Sequence, residues 1–253
     1  MRLASFMLVL CAACGGGTSD HSSPDAPAGG GDAPRPDGPA TDAPPGTALS
    51  RTLYINTEGL TLAPGSDDAT MDKTSLISTA TTATKWLAND AQRSTKIAAL
   101  VTQIQTTLAA YNVSIVSTRP AAGPYDMVVI TDSTSQSFGF GAGQGGASPV
   151  TCSTIPSAIS LLFGSSYAGF TDVKLRNTFA SYAIAQFGID AHVPMSAKNQ
   201  DCMCYAGQSC GPLTGPCTIG GPGTPIMQPD LCGFGSATMD EGAQFLAAWG
   251  PHP

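Results

Sequence analysis

The sequence predicts an α+β fold of the mixed α/β kind: a sheet with two long helices, followed by a disulfide-rich C-terminal lobe. Two observations carry that prediction. Between residues 51 and 187, β-rich runs and helix-period segments succeed one another in the order strand–helix–strand–strand–strand–helix. Beyond residue 187 the chain turns loop-rich and holds Cys202, Cys204, Cys210, Cys217 and Cys232, with Cys152 alone before it in the domain.

The elements follow from local pattern. Arg51 to Asn56 (RTLYIN) alternates like a strand. Residues 68 to 88 are expected to hold a first, weakly patterned helix. Ile97, Leu100, Val101, Ile104 and Leu108 recur on one helical face, giving a helix that ends near Tyr111-Asn112. Val113 to Ser117 is a strand, and Tyr125 to Thr131 (YDMVVIT) is a strand whose unbroken apolar run predicts burial on both faces. The glycine-rich stretch 137–149 reads as a loop or irregular edge, and it lacks the Gly-Lys-Ser/Thr ending of a phosphate loop. Ser157 to Phe163 is a further strand. A second long helix spans about Asp172 to Phe187, capped by Thr171 or Asp172, with Gly188 placed as a left-handed C-cap glycine. A last short helix follows Thr238, which with Glu241 reads as a capping box; Phe245, Leu246 and Trp249 would be its buried face.

The N-terminal 50 residues divide differently. Residues 1–13 pair Arg2 with a short apolar run, Leu3 to Leu10, too short for the ~20 residues that span a bilayer, and so read as a signal peptide. Cys11-Ala12-Ala13-Cys14 resembles the lipobox of bacterial lipoproteins, with Cys11 where that motif usually carries Leu. The resemblance implies acylation of Cys14 and, with Gly15 after it, an outer-membrane or cell-surface lipoprotein; free secretion after Ala13 is the alternative. Residues 14–50 continue from that cysteine as a Gly/Pro/Ala/Asp spacer, in which 15–48 carry no large apolar side chain, so nothing offsets the entropy of ordering them. Residues 51–253 form the globular domain.

Charge narrows the partners. From Arg51 onward nine Lys/Arg face thirteen Asp/Glu, a net charge near −4, which disfavours nucleic acid and leaves the membrane to the lipid anchor. Cys152, Cys202, Cys204, Cys210, Cys217 and Cys232 in an exported chain predict three disulfides, with fifteen pairings open. Cys202 and Cys204 are too close to bridge each other comfortably, so each should have another partner. A zinc site on Cys202-x-Cys204 is the less favoured reading in an oxidising compartment.

Residues 180 to 193 (ASYAIAQFGIDAHV) resemble the active-site helix of the metzincin zinc proteases, whose pattern is H-E-x-x-H-x-x-G-x-x-H, and Pro225-Ile226-Met227-Gln228-Pro229 is similar to their Met-turn. The order of upstream elements also matches that family's N-terminal lobe, so the resemblance covers most of 51–253 and implies a metzincin-like fold. Two histidines at i and i+4 would share a helix face and one Zn²⁺, with Glu as base and Gly ending the helix. Here Ser181 stands at the first His, Tyr182 at the Glu, Ala185 at the second His, and Gly188 keeps the glycine. His192 falls one residue after the third His, and Met227 keeps the turn methionine. The degenerate motif therefore implies no catalytic residues, no metal and no cofactor. The expected role is that of a pseudo-metalloprotease binding a peptide, glycan or protein. An active hydrolase with an unconventional site and an unrelated disulfide-rich module are the alternatives. Ser181, Asp190 and His192 offer the groups of a serine hydrolase, but Asp190 and His192 lie two apart, no G-x-S-x-G surrounds Ser181, and a helix-surface serine beside a loop histidine explains them more simply.

Overall fold

The structure is a computed structural model that describes residues 51–204, 213, 215–228, 232, 234 and 236–253. The expected leader (1–13), Cys14 with its spacer (14–50), Cys210 and Pro229 lie outside the described residues. In chain order the elements are β1 (Thr52–Asn56), β2 (Leu60–Pro64), a 3-10 turn (Ala69–Met71), β3 (Lys73–Thr74), β4 (Thr81–Ala83) and α1 (Arg93–Thr107). There follow β5 (Ser114–Val116), β6 (Asp126–Thr131), a 3-10 turn (Ser135–Phe138), β7 (Gly146–Ala147), β8 (Ile159–Phe163) and a 3-10 turn (Gly164–Tyr167). The chain closes with α2 (Asp172–Asp190), β9 (Thr224–Pro225), β10 (Thr238–Met239) and α3 (Glu241–Trp249). The mixed α/β class is thus as expected.

Five strands form the main sheet in the order β5-β1-β6-β8-β7, parallel except for the edge strand β7, which runs antiparallel to β8. Every residue of β6 and β8 is buried. Alternation explains why: Val128, Ile130 and Leu162 face a core shared with all three helices, while Met127, Val129, Ile159, Leu161 and Phe163 face a second core with Leu62, Ala83 and Phe138. A solid apolar run is what a strand covered on both faces requires. Removing one such aliphatic side chain from water stabilises the fold by about 1.5–3 kcal/mol.

Helix α1 packs beside α2 through Ile97, Leu100, Val101 and Ile104, the face read from the sequence. It stops at Thr107, a few residues before the expected end. Lys96 joins the two helix starts, 2.7 Å from Asp90 and 2.8 Å from Asp172.

Three expectations fail here. Residues 68–88 hold no α-helix; they hold a 3-10 turn and short strands paired with β2. Asp and Thr side chains there bond the local backbone instead of leaving it to a helical ladder: Asp68 Oδ1 accepts from Thr70 N–H and Asp67 Oδ1 from Ser75 N–H. The capping box at Thr238 does not form either. Thr238 belongs to β10, Asp240 caps α3 by accepting from Ala243 N–H at 3.0 Å, and Glu241 reaches Gly220 instead. Leu246, expected in the buried face of α3, is 45 % exposed, because the inward positions are Glu241, Phe245 and Trp249 at a spacing of four.

The C-terminal lobe is cross-linked as its composition implies. Cys152 pairs with Cys232 and Cys202 with Cys217; Cys204 is also disulfide-bonded. Ser196 pairs antiparallel with Ile226, so the chain after α2 runs beside the segment that carries Met227.

Candidate functional site

Of the six residues singled out by the resemblance, His192 follows the end of helix α2 and Met227 comes from a later segment, while the helix itself carries Ser181, Tyr182, Ala185 and Gly188. Thr171 caps its N-terminus by accepting from Lys174 N–H, and from Asn177 to Asp190 each of its residues is buried. A helix covered all round is a core element between layers. Ser181 is therefore not the helix-surface serine expected: it is 2 % exposed, and its hydroxyl donates to the Cys202 carbonyl at 3.5 Å. Tyr182 is equally buried, its ring edge-on to Tyr167 at 6.2 Å, and burial pushes its phenol well above the ordinary range.

Ser181, Ala185 and Gly188 fall at i, i+4 and i+7, one face of the helix. That face is covered. The carbonyl of Cys202 meets Ser181 at one end, and Met203 lies over Gly188 at the other, with Cys202 and Met203 both fully buried. A Cβ on Gly188 would stand 2.5 Å from Met203 Sδ and 3.0 Å from Phe245 Cε1, so the absence of a side chain is what admits the covering segment.

Gly188 is accordingly not a C-cap. The helix runs through it to Asp190, and the left-handed residue is His192, at φ 64°. His192 N–H donates to the Ile189 carbonyl and Val193 N–H to that of Gly188, both at 2.8 Å. These are the two bonds of a Schellman ending with histidine where glycine is usual. Its ring lies 5.0 Å from that of Phe234, and its Nε2 is buried without a hydrogen-bond partner among the described residues. Met227 packs against the core to which α2 belongs, and its N–H donates to the Met195 carbonyl at 2.9 Å.

Two buried acids are chemically conspicuous: Asp190, named above beside His192, and Asp126 at the start of β6. Asp190, at the last position of α2, is buried, where the negative end of the helix adds to the cost of a carboxylate. Burial first, then the charges of Asp126 and Asp67, pushes its carboxyl well above the ordinary range; Asp126 is raised by burial too, against one N–H bond from Ala158 at 2.8 Å. The sequence signal was faint: one Asp opens an otherwise apolar strand and another closes an otherwise buried helix.

Among the described residues no group of three or more His, Cys, Asp or Glu side chains is arranged to hold a metal ion. In comparison with known proteins, the chain matches no protein-family model, no curated protein and no solved structure.

Proposed function

We propose that the chain is an exported, lipid-anchored pseudo-metalloprotease: a degenerate metzincin-like domain that serves as a non-catalytic binding or surface protein for a peptide, glycan or protein partner. One observation carries this reading. The helix face where a metzincin would carry two zinc-ligating histidines, here Ser181 and Ala185, is closed over by the disulfide-held Cys202-Met203 segment. The helix at 172–190 and the Met227 segment packed on the same core support the metzincin-like part. The disulfides support an oxidising, extracytoplasmic location. A surface can outlast a catalytic centre because binding needs only the scaffold, whereas zinc chemistry needs a converging ligand set and an open coordination position.

The test is elemental analysis of the dialysed, purified chain together with a peptide and casein hydrolysis assay. The reading expects less than stoichiometric zinc and no hydrolysis that survives repeated purification. Tightly bound stoichiometric zinc, with proteolysis abolished by His192→Ala, refutes it.

A further inference from the structure

The first residue of α3 is a fully buried glutamate, Glu241, and the residue before the Cys202–Cys217 bridge is a buried aspartate, Asp201, at 1 % exposure. Their oxygens converge over Gly220. A Cβ built there would stand 2.7 Å from Asp201 Oδ2 and 3.0 Å from Glu241 Oε2, and it would strike the Thr224 hydroxyl. Each carboxyl has one backbone donor: Met203 N–H on Asp201 Oδ1 at 2.9 Å, and Gly220 N–H on Glu241 Oε2 at 3.0 Å. That leaves Asp201 Oδ2 and Glu241 Oε1 buried with no hydrogen-bond partner among the described residues. Two buried acceptors with nothing to accept are costly, and two adjacent carboxylates cost more still. One proton between them removes both costs.

We infer that a single proton shared by Asp201 and Glu241 fastens the first turn of α3 to the cysteine-rich lobe, as an acid-closed clamp that opens in alkali. The proton sits on Glu241 and is donated to Asp201. Burial, then the Asp201 bond and charge, pushes the Glu241 carboxyl up to about 9, opposed by Gly220 N–H and Lys198. Asp201 is raised by burial, while Glu241, Met203 N–H, Lys198 and Ser196 hold it back. The other groups facing the pair are Thr224 from the β9 side, Asp240 from α3, and Tyr111 after α1, whose phenol is raised by burial and by the charges of Glu241 and Asp240. A hard cation fits the pair less well, since Ca²⁺ wants six to eight oxygens and the two carboxyls are sealed from solvent.

The clamp is read by unfolding the oxidised full chain in EDTA across the pH range. A raised folded-state pKa gives a contribution that is whole below the unfolded pKa and falls as pH climbs towards the folded one. Relative to Glu241→Gln, whose amide N–H permanently replaces the shared proton, the wild-type unfolding constant should rise up to about tenfold per unit between about pH 5 and pH 9. The pair formed by Asp126 and Asp190 contributes equally to both chains and cancels. Tryptophan emission from Trp249, eight residues along α3, should shift near pH 9 in wild type and not in the variant. Parallel pH profiles in the two chains overturn the inference. So does millimolar Ca²⁺ that stabilises wild type at pH 8 but not the variant, which would make the pair a cation site. Should Glu241→Gln not fold, Asp201→Asn donates in the opposite direction and gives the same reading. The wild-type emission titration stands without either variant, and no transition, or one below about pH 7, overturns the clamp.

Discussion

Replacing Gly188 by alanine separates two roles that a helix glycine can play. Alanine is the better helix former, by about 1 kcal/mol in a helix interior, so a glycine kept only by chance should give way to it with a gain. The structure places the new methyl 2.5 Å from Met203 Sδ, 2.9 Å from Met203 Cε and 3.0 Å from Phe245 Cε1, against a comfortable carbon separation of about 3.5–4.0 Å. Something must move by about an ångström. Met203 is fully buried between two disulfide-bonded cysteines, and Phe245 is stacked on Trp249 at 4.8 Å, so neither neighbour retreats freely. Overpacking of this kind costs about 1–3 kcal/mol. Set against the propensity gain, the net expectation is a loss of up to about 2 kcal/mol. Gly242→Ala is the internal control: it lies in α3, and its nearest new contacts are ordinary ones at 3.6 Å or more, so it should be neutral or gain up to about 1 kcal/mol. Urea unfolding of the oxidised protein, followed by tryptophan emission, reads both. A Gly188→Ala chain at or above wild-type stability refutes the packing account of the covered helix face.

Other perturbations probe the same layers. Trp249→Ala removes a fully buried ring stacked on Phe187 at 4.4 Å and on Phe245, and should cost about 3–5 kcal/mol in urea titration. Breaking Cys152–Cys232 by paired alanine substitution should cost about 4–5 kcal/mol from loop entropy, against about 3 kcal/mol for Cys202–Cys217, because the closed loops differ at 80 and 15 residues; equal losses in calorimetry would argue against the entropic account. Asp190→Asn removes a buried acid whose folded pKa is raised, so its contribution is full in acid and declines as pH rises; the variant should show a shallower loss of melting temperature between about pH 5 and pH 8, and an unchanged slope would contradict the burial argument.

The layers differ in how legible they were. Helix α1 announced itself because Ile97, Leu100, Val101 and Ile104 mark one face, and β6 because its apolar run has no polar side. The small strands β2 to β4 did not, since Thr- and Asp-rich segments choose their conformation through side-chain bonds to the backbone that have no period. Gly188 was misread for a different reason: a cap and a close approach leave the same letter, and only Met203, fifteen residues away, decides between them. Thr238 and Glu241 matched a capping pattern, yet Glu241 answers to Asp201 across forty residues of chain, and no local reading reaches that far. At the candidate site the helix was legible, but the burial of Ser181 and Gly188 was not, because the Cys202-Met203 segment that covers them comes later in the chain.

The bridge between Cys152 and Cys232 has a practical corollary for how the chain responds to a protease. It encloses β8, α2 and the whole of the second disulfide loop. A single cut anywhere between those two cysteines leaves two fragments that still travel as one particle, so damage would be visible only on a reducing gel. The nicked molecule keeps its C-terminal piece, α3 included, in position to re-dock without a diffusional search.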